Sequence, residues 1–126
     1  MDLTFTGRGV PVTDELREAA HHKLDRLERL EPRVTRIDLE IIAEHHPRPG
    51  MKRVEAALLV PRKTFRAEVE APEVPAALDG IAEKLERQLR DHHQRRRTRF
   101  LRGARSVFRR DRERVQEGPS PADTPE

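Results

Sequence analysis

Apolar and polar residues alternate along four stretches of the chain and recur at steps of three and four along two others. In "RIDLEIIAE", Ile37, Leu39, Ile41 and Ala43 face one way, while Arg36, Asp38 and Glu40 face the other. That is the period of a half-buried strand. "KRVEAALLV" repeats it with Val54, Ala56, Leu58 and Val60, and "TFRAEVE" with Phe65, Ala67 and Val69. "LTFT" is a shorter case, with Leu3 and Phe5 on one face and Gly7 and Gly9 ending it. "VTDELREAAHHKLDRLERL" has the helical period instead. Leu16, Ala20, Leu24, Leu27 and Leu30 form its stripe, Thr13 suits the N-cap, Asp14 and Glu15 sit in the first turn, and Pro32 stops it. "APEVPAALDGIAEKLERQL" is the second helix, with Pro75 in its first turn and Leu78, Ile81, Leu85 and Leu89 as its stripe.

The element order is therefore strand, helix, three strands, helix, an α+β domain. The first strand, helix and second strand make a βαβ unit with parallel strands, and short loops make the next three strands an antiparallel meander. Each strand has one apolar face, so both helices should cover one face of a four-stranded mixed sheet. Helix, three strands, helix is also the order of double-stranded-RNA binding domains. The lysine cluster that opens their last helix is replaced here by the acidic "PEVPAALDG".

Composition narrows this picture. Of 126 residues, 34% are apolar and 39% charged, with four Phe and no Trp, Tyr or Cys. The core is small, there is no disulfide framework or thiolate metal site, and no stacking platform for single strands is offered. No run approaches the ~20 apolar residues that span a bilayer, and "MDLTFTGRGV" does not read as a signal peptide. The expected compartment is the cytoplasm, with no membrane contact.

The net charge of +3 conceals a segregation. Residues 1–94 carry 16 Lys and Arg against 18 Asp and Glu, residues 95–114 ten Arg against two acids, and residues 115–126 three acids and no base. The expected organisation is a mildly acidic domain over 1–94, followed over 95–126 by an Arg-rich arm and a Pro-rich, acidic, disordered end. Arg outnumbers Lys 22 to 4, which fits either coding bias or the planar fork that grips phosphate.

Catalytic chemistry finds little support. The His residues come as the adjacent pairs His21/His22, His45/His46 and His92/His93. Neighbours point about 100° apart on a helix or to opposite faces of a strand, so a pair does not chelate. His45 and His46 lie beside a turn and should be exposed. Two Ser near the tail and carboxylates beside Arg or Lys give no nucleophile or acid–base pair, and "GRG" at 7–9 reads as a turn before a phosphate cradle. Neither an enzyme, a metal, a cofactor nor a small-molecule substrate is expected.

What remains is basic. Lys23, Arg26 and Arg29 cluster in the C-terminal half of the first helix, where cations also complement the dipole. Lys84, Arg87 and Arg90 follow one side of the second helix, and Arg95, Arg96 and Arg97 open the arm. Solvated helix faces would look the same, but ten arginines with two acids repel one another unless a polyanion neutralises them. Two other readings stay open. "FLRGARSVF" carries Phe100, Ala104, Val107 and Phe108 at helical spacing and could dock in a partner's groove. The arm alone could also coat nucleic acid without specificity.

"LTFTGRGVPVTDELREAAHHKLDRLERL", "RIDLEIIAE" and "AALDGIAEKLERQLRDHH" together resemble the ribosome hibernation promoting factor family over about residues 1–94. "TGRGVPVTDELRE" and "LDGIAEKLERQL" are the most specific pieces. The resemblance implies the fold derived above and a partner, the small ribosomal subunit. There the family occupies the channel between head and body, over the tRNA and mRNA sites, and silences translation in starved cells. It implies rRNA contacts from Lys23, Arg26, Arg29, Lys84, Arg87 and Arg90, and a monomer off the ribosome. Two departures stand out. Glu73, Val74 and Pro75 replace the Asp-Met-Tyr that commonly opens the family's second helix. The 32 residues after Gln94 are also too few and too charged for the dimerisation domain of the long members, which implies a short, tailed form.

Overall fold

The computed structural model describes residues 1–108. Its elements are β1 (Asp2–Arg8), α1 (Asp14–Leu30), β2 (Arg36–Ile42), β3 (Lys52–Val60), β4 (Lys63–Ala71) and α2 (Val74–Phe108). The strands form one sheet in the order β1-β2-β3-β4. β1 is parallel to β2, and the other two pairings are antiparallel. This is the expected architecture. Met1–Leu89 form one compact unit, and the described residues from Arg90 onward belong to a second.

The alternation in the strands becomes two faces of the sheet. Ile37, Leu39, Ile41, Val54, Leu58 and Phe65 are buried under the helices, and Leu3 and Phe5 of β1 pack against the same core. α1 contributes Ala20, Leu24 and Leu27 to that core, and α2 contributes Ala77, Leu78, Ile81, Ala82, Leu85 and Leu89. Each fully buried Leu or Ile removes enough apolar surface to contribute about 2 kcal/mol. Thr13 caps α1 as its sequence implies, its hydroxyl accepting from the Leu16 amide at 3.1 Å. The helix ends at Leu30, one residue before the Glu31 C-cap and two before Pro32.

α2 runs on past its packed part. Its apolar stripe stops at Leu89, but the helix continues through Gly103 to Phe108. Arg and Gln are nearly as good helix formers as Leu, so one glycine, costing about 1 kcal/mol, does not end it. The side chains of the "FLRGARSVF" stripe and the Pro-rich, acidic end fall outside what the structure describes.

Two glycines set the exit from β1. Gly9 has φ +78°, which a side chain resists. Its Cα also faces the Glu44 backbone so closely that a Cβ would lie 2.9 Å from the Glu44 nitrogen. At Gly7 a Cβ would lie 2.3 Å from the Val10 carbonyl oxygen. The chain therefore doubles back tightly between β1 and α1, and the Ala43 amide donates to the Arg8 carbonyl at 2.8 Å beside it.

Candidate nucleic-acid interface

The strand register decides which charges meet. Asp2 pairs with Arg36, Arg36 with Leu59 and Leu59 with Thr64. The starts of β1 and β2 and the β3–β4 turn therefore share one end of the sheet. α1 returns to that end, where Glu28 lies 3.0 Å from the Met1 amino group. α2 up to Leu89 does the same along β4. Lys84 Nζ donates to the Glu68 carbonyl at 2.9 Å, and one turn later Gln88 Nε2 donates to the Arg66 carbonyl at 2.7 Å. These two side chains also satisfy carbonyls along an edge strand, which discourages pairing with another chain.

The sequence candidates divide on this frame. Lys23 lies 2.8 Å from Asp79, and Arg26 lies 3.0 Å from Glu86, so both join α1 to α2. Arg29 pairs with Asp25 one turn back. These pairs are solvent-exposed enough to contribute only about 0.2–1 kcal/mol each, so a phosphate can displace the acid at small cost. Lys84 serves the β4 edge. Arg87 is exposed and has no acidic partner among the described residues. Within the second unit, Arg90, Arg95, Arg96 and Arg97 are exposed, and the last three have no acidic partner among the described residues.

Sequence reading missed three cations. Arg62, Lys63 and Arg66 sit on or beside the β3–β4 turn, exposed, with no acidic partner among the described residues. Lys63 Nζ lies 5.2 Å from the centre of the Phe65 ring. Their common end with Arg29 and Arg87 follows from the register, which no local sequence signal reveals.

The open face of the sheet is different in character. A shallow concavity of about 880 Å³ lies over Thr4, Asp38, Glu40, Glu55, Arg66 and Glu68. Glu40, Glu55 and Glu68 stand side by side on three adjacent strands. Like charges placed so repel. Arg8 offsets them at 3.0 Å from Glu40, and Arg53 at 3.2 Å from Glu55 and 3.5 Å from Glu68. Phe5 and Phe65 face the helices, so this face carries neither net positive charge nor a ring for a base to stack on.

Asp38 on the same face accepts from the Thr4 hydroxyl at 2.6 Å and from Arg36 Nε at 2.9 Å. The Thr4 bond holds its carboxyl below the usual range, partial burial opposes this, and Arg36 assists. A depressed folded pKa gives stability that is present above the unfolded value of about 3.9 and lost as pH falls through the folded one. Asp38→Asn should therefore flatten the acid limb of the stability curve below about pH 4. Urea melts at pH 5 and pH 2.5 check this, and an unchanged acid limb would refute it.

His46 corrects an expectation. Its side chain is only 7% exposed. His45 takes φ +61°, which turns the chain so that the next ring folds inward. Nδ1 of His46 accepts from the Arg48 amide at 2.9 Å, and Nε2 approaches Glu70 at 3.3 Å without hydrogen-bond alignment. Arg48 Nη2 donates to the same carboxylate at 2.6 Å and is the main cause of its lowered pKa. The cluster closes the β2–β3 loop at the end of the sheet opposite the β3–β4 turn. Of the other histidines, His22 is exposed while its neighbour Lys23 is half-buried. Among the described residues no group of three or more His, Asp or Glu is placed to hold a metal. No described helix is long and apolar enough to cross a membrane.

Comparison with known proteins agrees with this frame. The model of the Sigma 54 modulation protein / S30EA ribosomal protein family matches residues 3–97. A ribosome hibernation promoting factor of Pseudomonas putida is 32% identical over 104 residues, covering 82% of this chain and 97% of its own. That of Azotobacter vinelandii is 34% identical over 92 residues, covering 73% and 82%. The solved structure of a ribosomal subunit interface protein from Coxiella burnetii superposes with a TM-score of 0.66 at 26% identity, covering 75% of this chain and 99% of that one. The matched span runs from Leu3 in β1 to the start of the Arg-rich run. The chain belongs to the Sigma 54 modulation protein / S30EA ribosomal protein family.

Proposed function

We propose that the chain is a ribosome-associated inhibitor of translation that binds rRNA of the small subunit and occupies the path of tRNA and mRNA between head and body. The observation that carries this reading is the gathering of cations at one end of the Met1–Leu89 unit. Arg62, Lys63, Arg66 and Arg87 lack acidic partners there among the described residues, and Arg29 holds only an exposed intrahelical pair. Cations left without acids favour a polyanion, and neutralising its phosphates releases counterions. Relatives that carry the name ribosome hibernation promoting factor support a ribosome as the source of that polyanion.

In this reading residues 1–94 are the binding domain. Lys23, Arg26, Arg29, Lys84, Arg87 and Arg90 contact phosphates, and Arg95, Arg96 and Arg97 extend the grip along the arm of 95–126. Translation stops because the occupied channel excludes its substrates, with no covalent step, cofactor or small-molecule substrate. The protein works in the cytoplasm of starved or stationary cells and is a monomer when off the ribosome. The test is co-sedimentation with purified small subunits. Six to ten phosphate contacts imply that affinity falls by about 10³–10⁵ between 50 and 200 mM salt. A protein that stays at the top of the gradient at low salt is not such a factor.

A further inference from the structure

The turn between β3 and β4 contains two residues, Pro61 and Arg62, closed by the Val60–Lys63 pair. Arg62 takes φ +70°. Proline at the first turn position and positive φ at the second are the features of a type II turn, whose second position favours Gly or Asn. An arginine there holds a backbone conformation that its own Cβ opposes. Nothing within the described fold explains the choice. Arg62 makes no described ion pair or hydrogen bond, and its side chain is exposed at the tip of the hairpin. Its neighbours Lys63 and Arg66 are cations without acidic partners among the described residues. A residue that strains the turn and makes no described polar contact in its own domain is best explained by something outside it.

We infer that Arg62 is a phosphate-binding residue, and that with Lys63 and Arg66 it makes the β3–β4 turn a contact to rRNA additional to those of the helices. The inference rests on the proposed function and names a part of the interface that neither helix supplies. The guanidinium is a planar donor that can take two phosphate oxygens at once. A two-residue turn anchored by paired strands presents it with little freedom to lose on binding.

The chemistry gives an unusual test, because the substitution that removes the contact also relieves the strain. Arg62→Gly and Arg62→Asn both suit the left-handed conformation, so their Tm should equal or exceed that of the wild type. Affinity for purified small subunits should nonetheless drop by about eightfold at 0.1 M monovalent salt, the share of one released counterion at a slope of ~0.9 per phosphate. The salt slope should become shallower by about 1. Arg62→Lys, which keeps the charge but not the fork, should lose less affinity than the Gly and Asn variants and keep the full slope.

Wild-type affinity and slope in the Gly and Asn variants would overturn the inference while leaving the proposed function standing. An equal loss in Arg62→Lys with an unchanged slope would also overturn it, because shape rather than charge would then be at work. If the wild-type protein itself fails to bind small subunits, both readings fall.

Discussion

Replacing Arg87, Arg95 and Arg96 together by Gln should weaken binding to small ribosomal subunits by roughly 500-fold at 0.1 M salt, with the log–log salt slope shallower by about 3. The figure compounds three contacts at about eightfold each. All three side chains are exposed on α2 and have no acidic partner among the described residues, so no ion pair within the described fold is lost with them. Gln has nearly the helix propensity of Arg, and the buried stripe ending at Leu85 and Leu89 is untouched. The triple variant should therefore melt within a few degrees of the wild type. Equilibrium binding at four salt concentrations, with circular dichroism on the same samples, checks both halves. A loss below about tenfold, with the slope unchanged, would mean that phosphate contacts along this helix do not hold the complex.

The choice of these three residues over Lys23 and Arg26 depends on what only the structure shows. Lys23, Arg26 and Arg87 read alike in sequence, as cations on the polar side of a helix, and Arg95 and Arg96 read as the start of the arm. Lys23 and Asp79 are 56 positions apart and meet only because α1 and α2 lie side by side on one face of the sheet. Local periodicity fixes which side of each helix is buried, and Leu24, Leu27, Leu78 and Leu85 were readable for that reason. It does not fix the register between two helices, which depends on packing across the whole core.

The same limit hid the β3–β4 turn. "PRK" is readable as a tight connection, but its placement at the same end of the sheet as the C-terminal half of α1 and the Lys84–Leu89 part of α2 needs the parallel β1–β2 pairing and the meander together. His46 was misjudged through a turn effect. Positive φ at His45 reverses the chain, and His is among the residues that adopt that conformation more often than most. Strands, helices and the βαβ handedness were readable because each rests on period or on a rule of chain connection. The length of α2 beyond Leu89 was not, since an exposed helix needs no apolar stripe.

Gly7→Ala should destabilise the protein by about 3 kcal/mol, the cost of a severe steric substitution at a backbone contact. In a domain of this size that is a Tm lower by about 12–20 °C. The added methyl would lie 2.3 Å from the Val10 carbonyl oxygen and 3.0 Å from Val12 Cγ2. A side chain can rotate away from the second contact. The first is backbone, held by the reversal at Gly9 and by the Ala43–Arg8 hydrogen bond, so β1 or the segment leading to α1 must shift. The result also separates two meanings of "TGRG". If the glycines exist to let the chain double back, Gly7→Ala loses stability, while its folded fraction binds subunits with wild-type affinity and salt slope. If they cradle a phosphate, binding falls and Tm stays within about 2 °C of the wild type. A backbone oxygen directly over Gly7 fills the space a phosphate would need, so the first outcome is expected. The proposed anion contacts lie instead toward the opposite end of the sheet, where Arg62, Arg66 and Arg87 have no acidic partner among the described residues.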